Sequence, residues 1–137
     1  MTTSTESHPT IPESHRDLLD APVATLATIG TDGFPQVTAV WFLWDGERLR
    51  LSLNTARQKL RNLQRDPRCT LFILDLQNPY RYLEIRARAQ LEPDADYSFA
   101  TKVGRKYDSD LRQHDAPGSE RAVVTLEPVK VNAVAMG

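Results

Sequence analysis

Asp45-Gly46 stands between two stretches that alternate like strands, and this limits the fold more than any other feature of the chain. Asp-Gly favours a two-residue hairpin turn, because such turns need positive φ. Beyond it Leu49, Leu51 and Leu53 alternate with Arg48, Arg50, Ser52 and Asn54, a period of two that buries one face of a strand and wets the other. Before it, Gln36 to Trp44 carries Val37, Ala39, Trp41 and Leu43 on one side and Gln36, Thr38, Val40, Phe42 and Trp44 on the other. Both faces of that strand carry aromatics, so both are expected to be covered. Val23 to Ile29, rich in β-branched residues, runs into Gly30-Thr31-Asp32-Gly33, whose paired glycines are expected to supply the positive φ of a second reversal.

The rest of the chain extends this pattern. Cys69 to Leu74 is almost continuously apolar and predicts a central strand ended by Gln77-Asn78-Pro79. Leu83, Ile85, Ala87, Ala89 and Leu91 then oppose Tyr82, Glu84, Arg86, Arg88 and Gln90 on one long strand. Ala122 to Leu126 and Val129 to Met136 read as two strands joined at Glu127-Pro128. Short helices are expected over Glu13 to Leu19 and over Ala56 to Arg65. The second has a Thr55/Gln58 capping box and a stop at Asp66-Pro67. A third, capped by Asp94 or Asp96, carries Tyr97, Ala100, Val103 and Tyr107 at helical spacing and precedes Pro117-Gly118-Ser119. Six or seven strands joined mostly by hairpins, with two or three short helices, point to an antiparallel barrel rather than a βαβ fold.

A chain of 137 residues with 40% hydrophobic content suits one domain, expected over residues 11–137 behind a polar, disordered tail of residues 1–10. Seventeen basic residues against eighteen acidic ones make no global field for nucleic acid or an anionic membrane. No apolar run approaches the roughly 20 residues that cross a bilayer, and the N-terminus lacks the basic start and apolar run of a secretory signal. A cytoplasmic protein is expected. The single Cys69 excludes an internal disulfide and reads as core. His8, His15 and His114 lack zinc-site spacing and are expected to be solvated, no metal is expected, and neither a G-x-S-x-G elbow nor a Walker loop is present.

Chemistry concentrates in Ser52-Leu53-Asn54-Thr55-Ala56-Arg57-Gln58-Lys59, which leaves a strand, turns and enters a helix with two cations at its start. Helix N-termini favour acids, so Arg57 and Lys59 oppose the dipole unless an anion sits there. A phosphate would gain backbone N–H groups, the Thr55 hydroxyl and charge-assisted bonds from both cations. The alternative is a solvated basic helix face continued by Arg61, Arg65 and Arg68.

Val23-Ala24-Thr25-Leu26-Ala27-Thr28, Asp32-Gly33, Pro35-Gln36-Val37-Thr38 and Val40-Trp41-Phe42 are followed by Arg57-Gln58-Lys59, Arg61-Asn62-Leu63, Arg65-Asp66-Pro67-Arg68 and Asn78-Pro79-Tyr80-Arg81-Tyr82-Leu83-Glu84-Ile85. This series closely resembles the pyridoxamine 5'-phosphate oxidase-like oxidoreductases, in particular the actinobacterial class B flavin/deazaflavin branch that uses coenzyme F420. The resemblance runs from about Ala21 to Val131. It implies a split β-barrel of the FMN-binding type and a homodimer with cofactor sites built from both subunits. It also implies a hydride transfer from reduced deazaflavin to a small conjugated or quinone-like substrate. Arg57 and Lys59 match the family's cofactor-phosphate residues, with Ser52, Asn54 and Thr55 beside them. Gln36, Val37 and Thr38 match the strand beside the deazaflavin ring, while Tyr80 and Tyr82 match a loop and strand lining the site. Trp41 and Trp44, pointing to opposite faces, are candidates for the substrate cavity. FMN is the alternative cofactor, and a non-catalytic flavin or F420 carrier is the alternative role. The arginine-bearing C-terminal segment of true pyridoxamine phosphate oxidases is absent from Val129 to Gly137, which argues against that activity, and Ala87 replaces a glycine common in the family.

Overall fold

The computed structural model describes residues 9–136. The chain opens on a 3₁₀ helix, Glu13–Asp20. Strands β1 (Ala24–Ile29), β2 (Pro35–Val40), β3 (Leu43–Trp44) and β4 (Leu49–Asn54) lead to helix α1 (Gln58–Arg65). There follow β5 (Arg68–Leu74), β6 (Arg81–Pro93), helix α2 (Ser98–Tyr107), a 3₁₀ turn Leu111–His114 and β7 (Arg121–Ala135). Residues 1–8 of the expected tail lie outside the described residues; Pro9 and Thr10 sit beside Trp44 and Leu126.

The seven strands form one antiparallel sheet in the order β2-β1-β5-β6-β7-β4-β3. Its two edge strands are neighbours in sequence, because only Trp41 and Phe42 separate β2 from β3. Three residue steps span at most about 11 Å. A sheet whose edges are tied that closely must curl, and the result is a split barrel closed by a chain link instead of a ladder. Alternation then sorts the side chains. Leu26, Leu51, Leu71, Ile73, Leu83, Ile85, Val124 and Leu126 fill the interior, joined by Leu60 and Leu63 of α1 and by Leu18 and Leu19 of the first 3₁₀ helix. Outside the barrel, α2 packs Phe99, Ala100 and Val103 against Val123, with Leu43 and Tyr107 at the margin.

Several expectations are corrected. Gln36 to Trp44 is not one strand; it breaks at Trp41-Phe42, where the chain passes from one sheet edge to the other, and Val37 and Ala39 on its outer face are exposed. Glu127-Pro128 does not divide the last strand. β7 runs through it, since Ala87 pairs with Pro128 and Arg86 with Lys130, leaving Val129 as a bulge that tolerates the missing proline N–H. Of the paired glycines only Gly33 takes positive φ (84°). Gly30 is needed for space instead, because a Cβ there would sit 3.0 Å from the Phe34 carbonyl. The capping box fails: α1 starts at Gln58 with Arg57 as its uncapped N-cap, and Gln58 turns inward to Asn62. Both acids offered for α2 contribute, Asp94 accepting from the N–H of Phe99 (3.1 Å) and Ala100 (2.9 Å), and Asp96 from that of Ser98 (3.0 Å). His15 is buried, its ring bonded to the Ser14 hydroxyl and the Val134 carbonyl, because the first 3₁₀ helix lies on the barrel. His8 lies outside the described residues.

Candidate functional site

The outer face of β4 ends in Ser52 and Asn54, and the turn into α1 is set by Asn54. Its Oδ1 accepts from the Ala56 N–H (2.9 Å) and its carbonyl from that of Arg57 (3.0 Å). Thr55 is tied across the sheet by donation to the Glu120 carbonyl (2.9 Å). Arg57 is still extended at φ −76° and ψ 141°, so the helix begins abruptly, and no side chain among the described residues caps it. First-turn N–H groups have no intrahelical acceptor, which leaves those of Gln58 and Lys59 as donors at the positive end of the dipole. Lys59 is half-buried. Burial first, and the neighbouring Arg57 charge second, push its ammonium below the ordinary lysine range. None of the ion pairs among the described residues involves either cation.

These cations line a cleft of about 390 Å³ together with Ser52, Asn54, Ala39, Trp41, Val103, Leu111, His114, Asp115 and Arg121. Asp115 is the carboxylate best placed to neutralise them, but it is committed elsewhere. Arg121 grips both its oxygens (2.8 and 3.0 Å), Tyr97 donates to Oδ2 (2.8 Å) and Asn54 to Oδ1 (3.1 Å). Arg121 also reaches the Ser52 carbonyl and hydroxyl, both at 3.2 Å. The Arg121 guanidinium holds the Asp115 carboxyl down at about 2. The floor of the cleft is thus a closed, charge-balanced network, and the surplus positive charge of Arg57 and Lys59 is left facing the space. Trp41, Val103 and Leu111 add apolar surface to the same cleft. This donor set and this wall suit an anion attached to a flat ring, so a phosphate-bearing flavin or deazaflavin fits the residues present.

Of the residues singled out in the sequence, Ser52, Asn54, Arg57, Lys59 and Trp41 come together in the cleft. Thr55 faces the adjoining recess beside Glu120. Gln36 accepts from the buried Asn62 amide (3.2 Å), which also donates to Thr28 (3.0 Å), so it ties α1 to β1 and β2. Val37 is 60% exposed on the outer face of β2, and the Thr38 hydroxyl is buried without a partner among the described residues. Tyr80 is 61% exposed in the turn before β6, and Tyr82 packs on Phe72 at 5.0 Å; within one chain neither lines the cleft. Trp44 lines a separate hollow with Arg16 and Leu126. Asp115, Arg121 and Tyr97 escaped sequence reasoning, because charged and polar residues around Pro117-Gly118-Ser119 look solvated and the Asn54 and Ser52 that complete their network are remote in the chain. His114 is exposed, its Nε2 3.0 Å from the Ser109 hydroxyl.

The family model described as pyridoxamine 5'-phosphate oxidase matches residues 11–135. Among solved structures, the chain is similar to an F420 reductase at 39% identity, covering 89% of this chain and 98% of that one with a TM-score of 0.79. It is also similar to a conserved hypothetical protein of Mycobacterium tuberculosis, at 25% identity, 97% and 90% coverage and a TM-score of 0.73. HupZ of Group A Streptococcus shares the fold at 18% identity, with 93% and 100% coverage and a TM-score of 0.70.

Proposed function

The chain belongs to the pyridoxamine 5'-phosphate oxidase family, and from that premise we propose that it is a cytoplasmic F420-dependent oxidoreductase. Its substrate would be a small conjugated or quinone-like molecule. The observation that carries this is the pair of cations, Arg57 and Lys59, left without a carboxylate at an uncapped helix start and facing an aromatic wall. The 39% identical F420 reductase supports the choice of deazaflavin.

When bound, the reduced deazaflavin supplies the hydride. The protein's part is to bind and orient. Arg57 and Lys59 would hold the phosphate with the Gln58 and Lys59 N–H groups, and charge-assisted bonds of that kind are the strong ones. Asp115 stays ionised on Arg121 and so keeps the cleft floor fixed without cancelling the charge above it. Trp41, Val103 and Leu111 exclude water from one side. No side chain needs to act as a nucleophile, and burial pushes the Cys69 thiol up to about 12. A proton accompanying the hydride would come from water or a nearby polar group. We further propose that the working form is a homodimer in which Tyr80 and Tyr82 of one subunit complete the cleft of the other.

FMN presents the same phosphate and a similar ring, so the deciding experiment titrates purified protein with oxidised F420 and with FMN, followed by fluorescence. Reduced F420 is then mixed with a quinone acceptor. Tight F420 binding with turnover is expected. Preference for FMN, binding without turnover of any conjugated acceptor, or binding of neither would replace this reading by a flavoenzyme, a carrier or a scaffold respectively.

A further inference from the structure

Tyr107, at the end of α2, stacks on Trp41 with ring centroids 4.1 Å apart and planes within 5°. Its hydroxyl accepts from the Phe42 N–H at 3.1 Å and lies 3.3 Å from the Phe42 carbonyl as a donor. Lys106 Nζ donates to that carbonyl at 2.8 Å and sits 3.9 Å from the centre of the Phe42 ring. The two-residue link that closes the barrel is therefore fastened to the last turn of α2 through both backbone groups of Phe42 and through the face of Trp41. Trp41 is 39% exposed and lines the cleft with Arg57 and Lys59, whereas Tyr107 does not line it.

A half-exposed indole on a loop would ordinarily divide its time among rotamers, and any ligand stacking on it would bear the cost of ordering it. Tyr107 removes that freedom beforehand. With one face covered by Tyr107, Trp41 offers the cleft its opposite face and edge in a single orientation. We propose that Tyr107 is a positioning residue which presets the Trp41 plane as the ring-recognising wall of the cleft. It would thereby govern affinity for the planar part of the cofactor or a stacked aromatic substrate and not for the phosphate. This rests on the assignment of the cleft as a cofactor site.

The test uses a Trp44→Phe background, so that Trp41 is the only indole. Tyr107→Leu and Tyr107→Phe are compared with that parent by acrylamide quenching of Trp41 without ligand, by titration with F420 and with FMN, by titration with pyrophosphate, which has charge and no ring, and by melting. Tyr107→Leu is expected to raise quenching and to weaken F420 about three- to tenfold, the size of an aromatic pair, with pyrophosphate affinity unchanged. Tyr107→Phe keeps the stack and should stay close to the parent in quenching even if its melting temperature falls. Unchanged quenching in Tyr107→Leu, unchanged F420 affinity, or equal losses for F420 and pyrophosphate would each overturn the inference. Failure of the parent to bind either F420 or FMN would instead overturn the cofactor assignment itself, and this inference with it.

Discussion

Arg57 and Lys59 do opposite things in a folded chain alone and in one holding an anion. Alone they oppose the dipole at the start of α1, at a few tenths of a kcal/mol each. With a phosphate present they become its strongest partners. Arg57→Ala and Lys59→Ala should therefore each weaken cofactor binding roughly ten- to hundredfold while leaving the melting temperature level or slightly raised. Arg61 serves as the comparison because it sits exposed on the same helix and bonds only Gln58, at 3.1 Å among the described residues, so Arg61→Ala should leave affinity nearly unchanged. Arg65 is a poorer comparison, since it donates to the Ile29 carbonyl and helps to hold the helix. Equal affinities in all variants would remove the phosphate cradle. Asp115 carries a separate prediction in pH. Arg121 depresses its carboxyl from the ordinary 3.8 to about 2, so between those values the unfolded chain binds the proton and the folded one does not. The stability it contributes is complete above about pH 4 and is lost as the pH falls towards 2. Asp115→Asn should cost about 1–3 kcal/mol at neutral pH, and urea melts should show its deficit shrinking across that acid window. A deficit independent of pH would mean that the network is held by shape and not by charge.

At the scale of elements, Gly104 reverses a common rule. Alanine in place of a helical glycine ordinarily stabilises by about 1 kcal/mol. Here a Cβ would lie 2.2 Å from the Ser109 carbonyl oxygen, which belongs to the segment folding back after α2. Backbone cannot yield as a flexible side chain would, so Gly104→Ala should lower the melting temperature and loosen the α2 C-terminus that carries Tyr107; an increase in stability would show that the segment moves aside. The same contrast explains what the sequence let one read. Leu49, Leu51 and Leu53 and the Leu83 to Leu91 series signalled their strands because each pattern is local and the burial follows it. Asp94 and Asp96 signalled α2 because capping acts over a few residues. Pro128 misled because its acceptability depends on the Ala87 bulge partner some forty positions earlier, and Gln36 to Trp44 misled because the break at Trp41-Phe42 serves closure of the whole sheet. In the cleft, Arg57 and Lys59 were legible as charges on the wrong end of a helix. Asp115, Arg121 and Tyr107 were not, since an opposite-charge pair six residues apart beside a Pro-Gly turn reads as solvated, and nothing near them announces Asn54, Ser52 or Trp41 across the fold.

At the scale of the molecule, the barrel has an inside and an outside, and only part of the outside is covered. The interior is filled by one core, and α2 lies over β4 and β7. Over β2, β1 and β5 the outward positions carry Pro35, Val37, Ala39, Ala27, Ile29 and Phe72 among Thr25, Thr70 and Arg68, with Val37 60% exposed, and no helix of the described residues packs there. Val129, 57% exposed at the β7 bulge, shares a hollow with Ala27, Ile29 and Pro35, bordered by Arg68, Arg86 and Arg88. Uncovered apolar side chains of that kind on a small domain suit an association site, and a twofold pairing would bury the same patch on both copies. Light scattering at micromolar concentration, without cofactor, should therefore give twice the mass of one chain. Val37→Lys is the discriminating variant. In a lone chain the side chain points into water, so lysine there should leave folding almost untouched. In a dimer it would put two uncompensated charges into a buried interface at a cost of several kcal/mol. The expected result is a folded monomer by scattering and circular dichroism, with a melting temperature that no longer rises with protein concentration. A wild-type chain that is already monomeric, or a Val37→Lys chain that remains dimeric, would place the uncovered face outside any interface and remove the route by which Tyr80 and Tyr82 could reach the second cleft.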